Sequence, residues 1–317
     1  ERKRFRKRRM FMNIIIFGAG ALGTYFGSRW IESGANVSFF VREGRKKQIE
    51  REGLHVTSVK GDTKISSPTL LTNPSQASSS DLVLLGVKGY HLGETIPVLK
   101  EFVAKGAKVL PILNGIEHIS ILKKELGEEA VLGGLSYIIA TLDNQGHVHH
   151  TSELHELIFG PLHPSQKEIC ALLNEINKHA NFNSQLTSNI EEEMWKKYMF
   201  ISAMSGVTTA GDIHTGIIRE VPETLKLVED VMLEVKTLAS RYDIYINQED
   251  IDRRMESFHS LPYEATSSMH QDKRKKNKLE VEHLQGGALR LAEQVQLKLP
   301  YTETLYRLIK PYETQNS

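Results

Sequence analysis

Short apolar runs alternate with helix-like segments along the first half of the chain. The runs are "NIIIF" (13–17), "NVSFFV" (36–41), "DLVLLGVK" (81–88) and "KVLPILNG" (108–115). Segments in which apolar residues recur with helical spacing follow the first, third and fourth runs. Alternation of this kind is typical of a parallel sheet with helices on both faces. The pattern therefore predicts an α/β fold for this part of the chain.

The rest of the chain has a different pattern. Residues 131–160 have the pattern of further strands joined by a hairpin near "DNQG", and strand signals fade after about residue 186. Four long segments with helical spacing follow, at 191–205, 221–241, 274–296 and 301–310. We therefore expect a sheet domain over residues 12–188 and an all-helical domain over residues 189–317.

Length and composition agree with this division. At 317 residues the chain is long for one hydrophobic core. A net charge of +1 gives no general electrostatic reason to expect nucleic acid or a membrane as a partner. Cys170 is the single cysteine, so we expect a reducing compartment and a small buried apolar residue rather than a catalytic thiol. Because no apolar run reaches the roughly 18 residues of a membrane span, we expect a cytoplasmic protein.

Two charge runs need an interpretation. The first eleven residues, "ERKRFRKRRMF", contain seven Lys or Arg and could form a basic arm for nucleic acid. The adjoining "MNIIIFGAGALG" has the pattern of a natural start at Met12, so we favour upstream sequence that is not part of the fold. The run "QDKRKKNK" (271–278) is expected to be a solvated face, since no aromatic residues interleave it.

A glycine-rich motif lies between the first predicted strand and its helix. Gly18, Ala19, Gly20, Ala21, Leu22 and Gly23 form the pattern G-x-G-x-x-G. In this setting the first glycine permits a tight turn, the second lets the backbone approach a pyrophosphate, and the third allows close packing of helix on strand. The motif predicts a Rossmann domain that binds a dinucleotide; a glycine-rich turn without a ligand is the alternative.

The end of the second strand distinguishes NAD from NADP in such domains. An acid there accepts from the ribose 2′-hydroxyl, whereas an arginine pairs with a 2′-phosphate. Here "FFVREGRKK" places Arg42 at the strand end, followed by Glu43, with Arg45 and Lys46 beyond. A guanidinium suits a phosphate because it can donate two parallel hydrogen bonds. NADP(H) is therefore the expected cofactor.

The chain resembles the ketopantoate reductase family, whose activity is 2-dehydropantoate 2-reductase. The motifs that carry the resemblance occur in order between residues 12 and 310: "IIIFGAGALG", "FFVR", "GVKGYH", "ILNGIEH", "GHVHHT", "EEMWKKYMF", "SSMHQD" and "LEVEHLQGG". The resemblance implies an N-terminal Rossmann domain, a C-terminal helical domain and an enzyme of pantothenate biosynthesis.

Two adjacent lysines in "EEEMWKKYMF" are candidates for catalysis. Helical geometry places Lys197 on an apolar stripe with a polar end, whereas Lys196 can pair with Glu192 one turn earlier, as a solvated lysine does. Glu193 can pair with Lys197 in the same way, so spacing only leans toward Lys197. The resemblance decides for Lys197, because the family's catalytic lysine is that of the pattern W-x-K, counted here from Trp195.

The resemblance implies NADPH-dependent reduction of 2-dehydropantoate, or of a related 2-oxo acid. As hydride reaches the ketone carbon, negative charge grows on the carbonyl oxygen, and the ammonium of Lys197 would stabilise that charge and donate the proton. Glu280, in "LEVEHL", matches the family's active-site glutamate. We expect it on a helix, holding the lysine, the cofactor or a substrate hydroxyl; a surface charge is the alternative.

Further site residues follow from the same resemblance. Lys88 and Asn114 end two predicted strands, at the carboxyl ends where ligands bind in parallel sheets. The resemblance implies that both contact the nicotinamide end of the cofactor and the substrate, and that Ala140 supplies backbone contacts to the cofactor. Ser268, in "SSMHQD", matches a serine that binds the substrate carboxylate; a simple turn or cap serine is the alternative.

The expected substrate-binding set departs from the family pattern. Ile201, Ser205 and Thr215 occupy positions where family enzymes of known activity carry asparagines. An asparagine offers donors and an acceptor to a hydroxy-oxo acid, and isoleucine offers neither. A non-catalytic NADP-binding sensor or interaction protein is therefore the alternative hypothesis, which the retention of Lys197 and Glu280 disfavours.

Four histidines, His147, His149, His150 and His155, cluster in the predicted hairpin. His147 and His149 would share a face of a strand, but no Cys, Asp or Glu completes an obvious ligand set. We therefore expect no metal. The expected partner is a small-molecule 2-oxo acid, bound by a monomer or homodimer.

Overall fold

The structure is a computed structural model that describes residues 12–315, so the predicted extension over residues 1–11 lies outside the described residues. The strands are β1 (Asn13–Phe17), β2 (Asn36–Phe40), β3 (Leu54–Ser58), β4 (Thr63–Ile65), β5 (Thr69–Leu71), β6 (Leu82–Leu85), β7 (Lys108–Pro111), β8 (Gly133–Leu142), β9 (Val148–Gly160) and β10 (Asn183–Leu186). The helices are α1 (Ala21–Glu32), α2 (Glu43–Glu52), α3 (Leu92–Ala104), α4 (Glu117–Leu126), α5 (Lys167–Asn177), α6 (Ile190–Gly211), α7 (Thr215–Glu220), α8 (Pro222–Ser240), α9 (Gln248–Ser260), α10 (Ser268–Arg274), α11 (Gln285–Gln294) and α12 (Pro300–Gln315).

The described chain forms two compact units. Residues 12–113 and 119–190 make up the first, called unit 1, and residues 114–118 together with 191–315 make up the second, called unit 2. Every strand of the described residues lies in unit 1, whereas unit 2 is built from helices and turns. The expected fold class, an α/β Rossmann-type unit and a helical unit, is confirmed.

The first sheet of unit 1 is parallel throughout, with strand order β5-β2-β1-β6-β7. In the centre, Ile15 of β1 lies opposite Ser38 of β2 and Val83 of β6. All four residues of β6 are fully buried, because a parallel sheet is covered on both faces. This explains why the central strands are continuous apolar runs in the sequence.

The second sheet of unit 1 has the order β10-β9-β3-β4, with β8 paired to β9. Strands β8 and β9 form the predicted hairpin and are antiparallel from Gly133 opposite Gly160 to Leu142 opposite Val148. The sequence did not predict β3, β4 and β10, because they have only three to five residues and mix polar with apolar positions. Cys170 is buried in the core of unit 1, as expected, and burial raises its pKa to about 12.

The helices of unit 2 correct one expectation. The patterns at 191–205, 221–241 and 301–310 correspond to α6, α8 and α12, but the predicted helix over 274–296 was wrong in its first half. Helix α10 ends at Arg274, Lys276 has a φ of +58°, and α11 begins only at Gln285. The positive charges of residues 273–276 and 278 repel one another, which disfavours a helix that continues through this segment. Glu280 consequently lies in the segment between two helices, not on a helix.

Four helices, α2, α7, α9 and α10, were not predicted. Helices α2 and α9 have the sequences "EGRKKQIERE" and "QEDIDRRMESFHS", in which too few apolar residues mark a helical period. A capping box fixes the start of α9, where the Asn247 side chain accepts from the Asp250 N–H at 2.8 Å. Of the helices in the described range, none combines the length and apolar character that a bilayer crossing needs.

Candidate active site

The glycine motif follows β1 and opens α1 within unit 1. Gly18 has a φ of +95°, which favours glycine, and its N–H donates to the Phe40 carbonyl at 3.1 Å. A Cβ on Gly23 would lie 2.0 Å from the Gly18 carbonyl oxygen, so α1 approaches the loop this closely only without a side chain there. The tight turn and the close helix packing expected from the motif are therefore both present.

The N-terminus of α1 has the features of an anion site. Gly20 is the N-cap residue, and among the described residues no side chain caps the helix and no acid lies in its first turn. A Cβ built on Gly20 meets no described atom within 4 Å, so the space there is open. The N–H groups and dipole of the helix favour a phosphate at this position. The loop therefore fits the pyrophosphate of a dinucleotide.

Arg45 ties the glycine loop to the turn between β8 and β9. Its Nε donates to the Ala19 carbonyl at 3.1 Å and its Nη2 to the Gly146 carbonyl at 2.9 Å. Burial lowers the pKa of Arg45, and the charge of Asp143 acts in the opposite direction. Sequence reasoning treated Arg45 only as a loop charge. Its partner in the hairpin turn is 101 residues away along the chain, a separation that gives no sequence signal.

Arg42 lies just beyond β2, at the N-cap of α2. Its side chain is 72% exposed, and its Nη2 lies 2.7 Å from the Glu94 carboxylate in the first turn of α3. The same guanidinium nitrogen is 3.4 Å from His91 Nδ1. Arg42 is thus accessible to a ligand, but any phosphate must compete with Glu94 for the guanidinium.

The two other predicted cofactor residues of unit 1 lie on different elements. Lys88 comes shortly after β6 and directly before a 3₁₀ turn over Gly89–His91. Ala140 is half-buried on β8, where it pairs with His150 next to an irregularity in the strand register. Lys88 therefore lies beyond the carboxyl end of a strand of the first sheet, whereas Ala140 belongs to the second sheet.

Lys197 lies on α6 in unit 2 and is buried. It is 8% exposed, and its Nζ donates to the Asn114 side-chain oxygen at 3.0 Å. Burial lowers the pKa of Lys197 to about 8; the charge of Glu280 opposes this shift and that of Arg254 adds to it. Glu280 is itself only 5% exposed. An amine with this pKa can hold and release a proton near neutral pH.

Lys196, the adjacent lysine, is an ion-pairing residue. Its Nζ lies 2.5 Å from Glu192, the pairing expected from the sequence, and 3.2 Å from Asp250. Burial opposes the charge, but the hydrogen bonds with Glu192 and Asp250 outweigh it and raise the pKa of Lys196. The expectation of a solvated side chain was wrong, because the side chain is only 14% exposed. Of the two lysines, only Lys197 has a pKa lowered toward neutrality.

The cluster around Lys197 is assembled from three separate segments of unit 2. Asn114 begins the short segment 114–118, Lys197 lies on α6, and Glu280 lies shortly before α11. Arg290 of α11 binds the same short segment, since its Nη2 is 2.7 Å from the Glu117 carboxylate. The structure therefore brings together three residues that the resemblance named separately.

The substrate-side positions have mixed environments. Ile201 is half-buried one turn beyond Lys197, and Ser205 is buried one turn further, where its Oγ accepts from the Gln285 amide at 3.4 Å. Thr215 is fully buried and donates to a backbone carbonyl at 3.0 Å. Ser268 is exposed at the start of α10. The hydroxyls of Ser205 and Thr215 are thus already engaged within unit 2.

Three of the four hairpin histidines have hydrogen-bond partners of their own within unit 1. His149 lies 2.9 Å from the Asp143 carboxylate, His150 bonds to the Ser58 hydroxyl at 2.7 Å, and His155 bonds to the Tyr25 hydroxyl at 2.8 Å. The described residues contain no group of three or more His, Cys, Asp or Glu arranged to hold a metal ion.

A parallel sheet with a glycine loop, followed by a helical unit with a buried lysine, is the plan of a two-unit Rossmann-type oxidoreductase. The chain belongs to the ketopantoate reductase family. The family model described as "Ketopantoate reductase PanE/ApbA" matches residues 14–164, and its C-terminal counterpart matches residues 189–313.

Individual relatives span the whole chain. The uncharacterized oxidoreductase YkpB of Bacillus subtilis is 31% identical over 96% of this chain and 100% of its own length. A 2-dehydropantoate 2-reductase of Pyrococcus abyssi is 28% identical over 95% of this chain and 98% of its own. The ternary structure of D-mandelate dehydrogenase with NADH and anilino(oxo)acetate matches with a TM-score of 0.86 at 23% identity, covering 96% of this chain and 99% of that one. This last similarity shows the shared fold.

Proposed function

We propose that the protein reduces a 2-oxo acid to the 2-hydroxy acid with a reduced nicotinamide dinucleotide, with NADPH favoured over NADH. The observation that carries this proposal is the buried amine of Lys197, held at 3.0 Å by the Asn114 amide oxygen and influenced by the buried Glu280 carboxylate. 2-Dehydropantoate is the first substrate to test, because the family and the relative from Pyrococcus abyssi are named for that reaction.

Lys197 is the proton donor in this mechanism. A reduced dinucleotide, when bound, would supply the hydride for the ketone carbon. An ammonium has three N–H donors, and we assign one of them to the carbonyl oxygen of the substrate. Because the oxygen gains negative charge during reduction, the ammonium attracts it more strongly then than in the ground state, which is the condition for catalysis. Lys197 then transfers a proton to that oxygen and leaves a hydroxyl group.

Asn114 and Glu280 prepare Lys197 for this role. Asn114 fixes the position of Nζ through its side-chain oxygen. The negative charge of Glu280 favours the protonated amine against the effect of burial. Burial alone would lower the pKa of Lys197 further. Because the Glu280 charge opposes this and leaves the pKa at about 8, the donor is charged at neutral pH.

Unit 1 would hold the dinucleotide. We assign the pyrophosphate to the loop Gly18–Gly23 and the N-terminus of α1, the 2′-phosphate to Arg42, and the nicotinamide end to Lys88 and Ala140 as the family pattern implies. The same pattern also implies a cofactor contact for Asn114, which belongs to unit 2. To bind the 2′-phosphate, Arg42 has to break its ion pair with Glu94, and the preference for NADPH depends on this exchange. D-mandelate dehydrogenase, which shares the fold, was solved with NADH, so both cofactors have to be compared.

We propose a 2-oxo acid as the substrate. The residues Ile201, Ser205 and Thr215, which replace asparagines of the family, do not define which 2-oxo acid it is. We assign its carboxylate to Ser268 and its body to the face of α6 that carries Ile201 and Ser205. Because isoleucine replaces an amide there, a branched apolar 2-oxo acid is a second candidate beside 2-dehydropantoate. A cytoplasmic monomer or homodimer also stays a prediction.

The test is the oxidation of NADPH and NADH, followed by absorbance, with 2-dehydropantoate and then a panel of branched 2-oxo acids. We expect turnover with at least one of them and a lower KM for NADPH than for NADH. If the protein binds NADPH but no 2-oxo acid oxidises it, the enzyme hypothesis is contradicted. The alternative of a non-catalytic sensor is then favoured.

A further inference from the structure

Two buried histidines lie beside each other in unit 2, and none of the assigned roles uses them. His118 is 1% exposed and His283 is 8% exposed, and their ring centroids are 5.6 Å apart. Among the described residues, three nitrogens of this pair have no hydrogen-bond partner: Nδ1 and Nε2 of His118 and Nε2 of His283. Three unpartnered nitrogens therefore occur in one place.

Two other buried histidines, His150 and His270, differ from this pair because both of their ring nitrogens have partners. His150 bonds through Nδ1 to the Ser58 hydroxyl and through Nε2 to a backbone carbonyl at 3.0 Å. His270 bonds through Nε2 to Asp212 at 2.6 Å and through Nδ1 to a threonine hydroxyl. A buried polar atom without a hydrogen-bond partner destabilises the fold, because it has lost its bonds to water. Three such atoms together point to a bound group that supplies the missing hydrogen bonds.

The pair belongs to the surroundings of Lys197. His283 hydrogen-bonds to the backbone of Asn114, whose side chain accepts from Lys197. Gly115 fits against the His283 ring because it has a φ of +98° and no side chain; a Cβ there would lie 3.0 Å from the ring. The charge of Lys197 also acts on His118. The imidazoles, the amide and the ammonium therefore form one polar cluster within unit 2.

Both rings are neutral near pH 7. Burial, the neighbouring His283 and Lys197 together hold the pKa of His118 well below its ordinary value. Burial also lowers the pKa of His283, against the opposing charge of Glu280. A neutral imidazole has one N–H donor and one acceptor nitrogen. Because Nδ1 of His283 is the nitrogen left to donate to the Asn114 backbone, its Nε2 is an acceptor.

Resting on the proposed function, we propose that His118 and His283 are specificity-determining residues that bind a hydroxyl group on the 2-oxo acid. A hydroxyl complements the pair because it donates to the acceptor Nε2 of His283 and accepts from the N–H of His118. A carboxylate would need donors only and would leave that acceptor unpaired. The pair would thus supply polar contacts in place of the asparagines that Ile201, Ser205 and Thr215 replace.

The experiment compares two substrates that differ by one hydroxyl group, 2-dehydropantoate and 3,3-dimethyl-2-oxobutanoate. The unsubstituted protein should prefer the hydroxylated acid in kcat/KM by about tenfold or more, since a site built for a hydroxyl rejects the analogue that lacks it. In His118→Phe and His283→Phe, kcat/KM should fall for the hydroxylated acid and change little for the other. His118→Gln, which keeps a donor and an acceptor, should restore part of the preference.

His150→Phe is the matched control, because this equally buried histidine has its own partners in unit 1. It should leave the ratio of the two kcat/KM values unchanged. A parallel loss on both substrates in the phenylalanine variants overturns the proposal while the reductase function stands. The preference for the hydroxylated acid is measured on the unsubstituted protein, so this test does not depend on the folding of any variant. If the unsubstituted protein shows no such preference, the proposal is also overturned. Failure of the unsubstituted protein to reduce any 2-oxo acid contradicts the proposed function itself.

Discussion

The glycine loop of unit 1 and the Lys197 cluster of unit 2 are built in opposite ways. The loop is six consecutive residues, and its shape depends on backbone features that belong to them, such as the φ of +95° at Gly18. The cluster joins Asn114, Lys197 and Glu280, which are separated by up to 166 residues along the chain (280 − 114). Its properties arise only when the chain is folded.

This difference determines what each region can tolerate. The loop needs glycine at positions 18, 20 and 23, with open space at Gly20, so we expect it to bind a ligand through backbone N–H groups, which every residue except proline has. The cluster needs particular side chains in a buried place, because burial and Glu280 together determine the proton affinity of Lys197. We expect changes in unit 2 to act on the chemical step, and changes in unit 1 to act on cofactor binding.

The largest effect is expected for Lys197→Ala. Without the proton donor, kcat should fall by roughly 10²–10⁴-fold while the Kd for NADPH changes little. Steady-state kinetics and cofactor titration measure the two quantities. Lys196→Ala is the matched control, since Lys196 pairs with Glu192 and Asp250: it should lower the melting temperature but keep kcat. Equal losses of kcat in both variants would mean that kcat depends on the integrity of α6 and not on the amine of Lys197.

Two glycine variants in unit 1 are expected to have smaller effects, one on stability and the other on dinucleotide binding. Gly23→Ala should destabilise the fold by about 1–3 kcal/mol, because its Cβ would lie 2.0 Å from the Gly18 carbonyl. Gly20→Ala should leave stability nearly unchanged, since its Cβ meets no described atom within 4 Å, yet should weaken dinucleotide binding. Urea unfolding and cofactor titration distinguish the two variants. Tight NADPH binding by Gly20→Ala would rule out a close approach of the pyrophosphate.

The smallest expected effect concerns the cofactor preference. Arg42→Ala should raise the KM for NADPH about tenfold, as expected for loss of one charged hydrogen bond at an exposed site, and leave the KM for NADH unchanged. Glu94→Gln should have the opposite effect on NADPH, because it removes the carboxylate 2.7 Å from the guanidinium. Equal changes for both cofactors in Arg42→Ala would contradict the assignment of the 2′-phosphate to Arg42.

The same contrast explains how much the sequence could predict. The parallel sheet, the glycine turn and the hairpin were predictable because their signals are local: apolar runs, Gly18–Gly23 and "DNQG". The helix over 274–296 was mispredicted because the loop between α10 and α11 has an apolar spacing like that of a helix. The burial of Lys197 and the ion pair of Lys196 with Asp250 depend on contacts that periodicity does not encode. At the level of the sequence, only the resemblance selects Lys197 over Lys196.

His118 and His283 mark the limit of such prediction. Both stand inside motifs that carried the resemblance, "ILNGIEH" and "LEVEHLQGG", but their proximity became evident only in the fold, where the rings are 5.6 Å apart. Arg45 is similar, because its bonds to the Ala19 and Gly146 carbonyls connect distant segments. Side chains that act through long-range partners have no local pattern that a sequence could reveal.

The pH dependence of kcat/KM, which reports the pKa values of the free enzyme, tests the central claim most directly. Lys197 has to be protonated to act as the donor, and its pKa is lowered from 10.5 to about 8, so the protonated fraction falls as the pH rises through 8. We predict a constant kcat/KM below pH 8 and a decrease of about tenfold per pH unit above it, with no such break in Lys197→Arg, whose guanidinium stays charged. A kcat/KM that stays level from pH 7 to about pH 10, near the ordinary lysine pKa, would contradict the account.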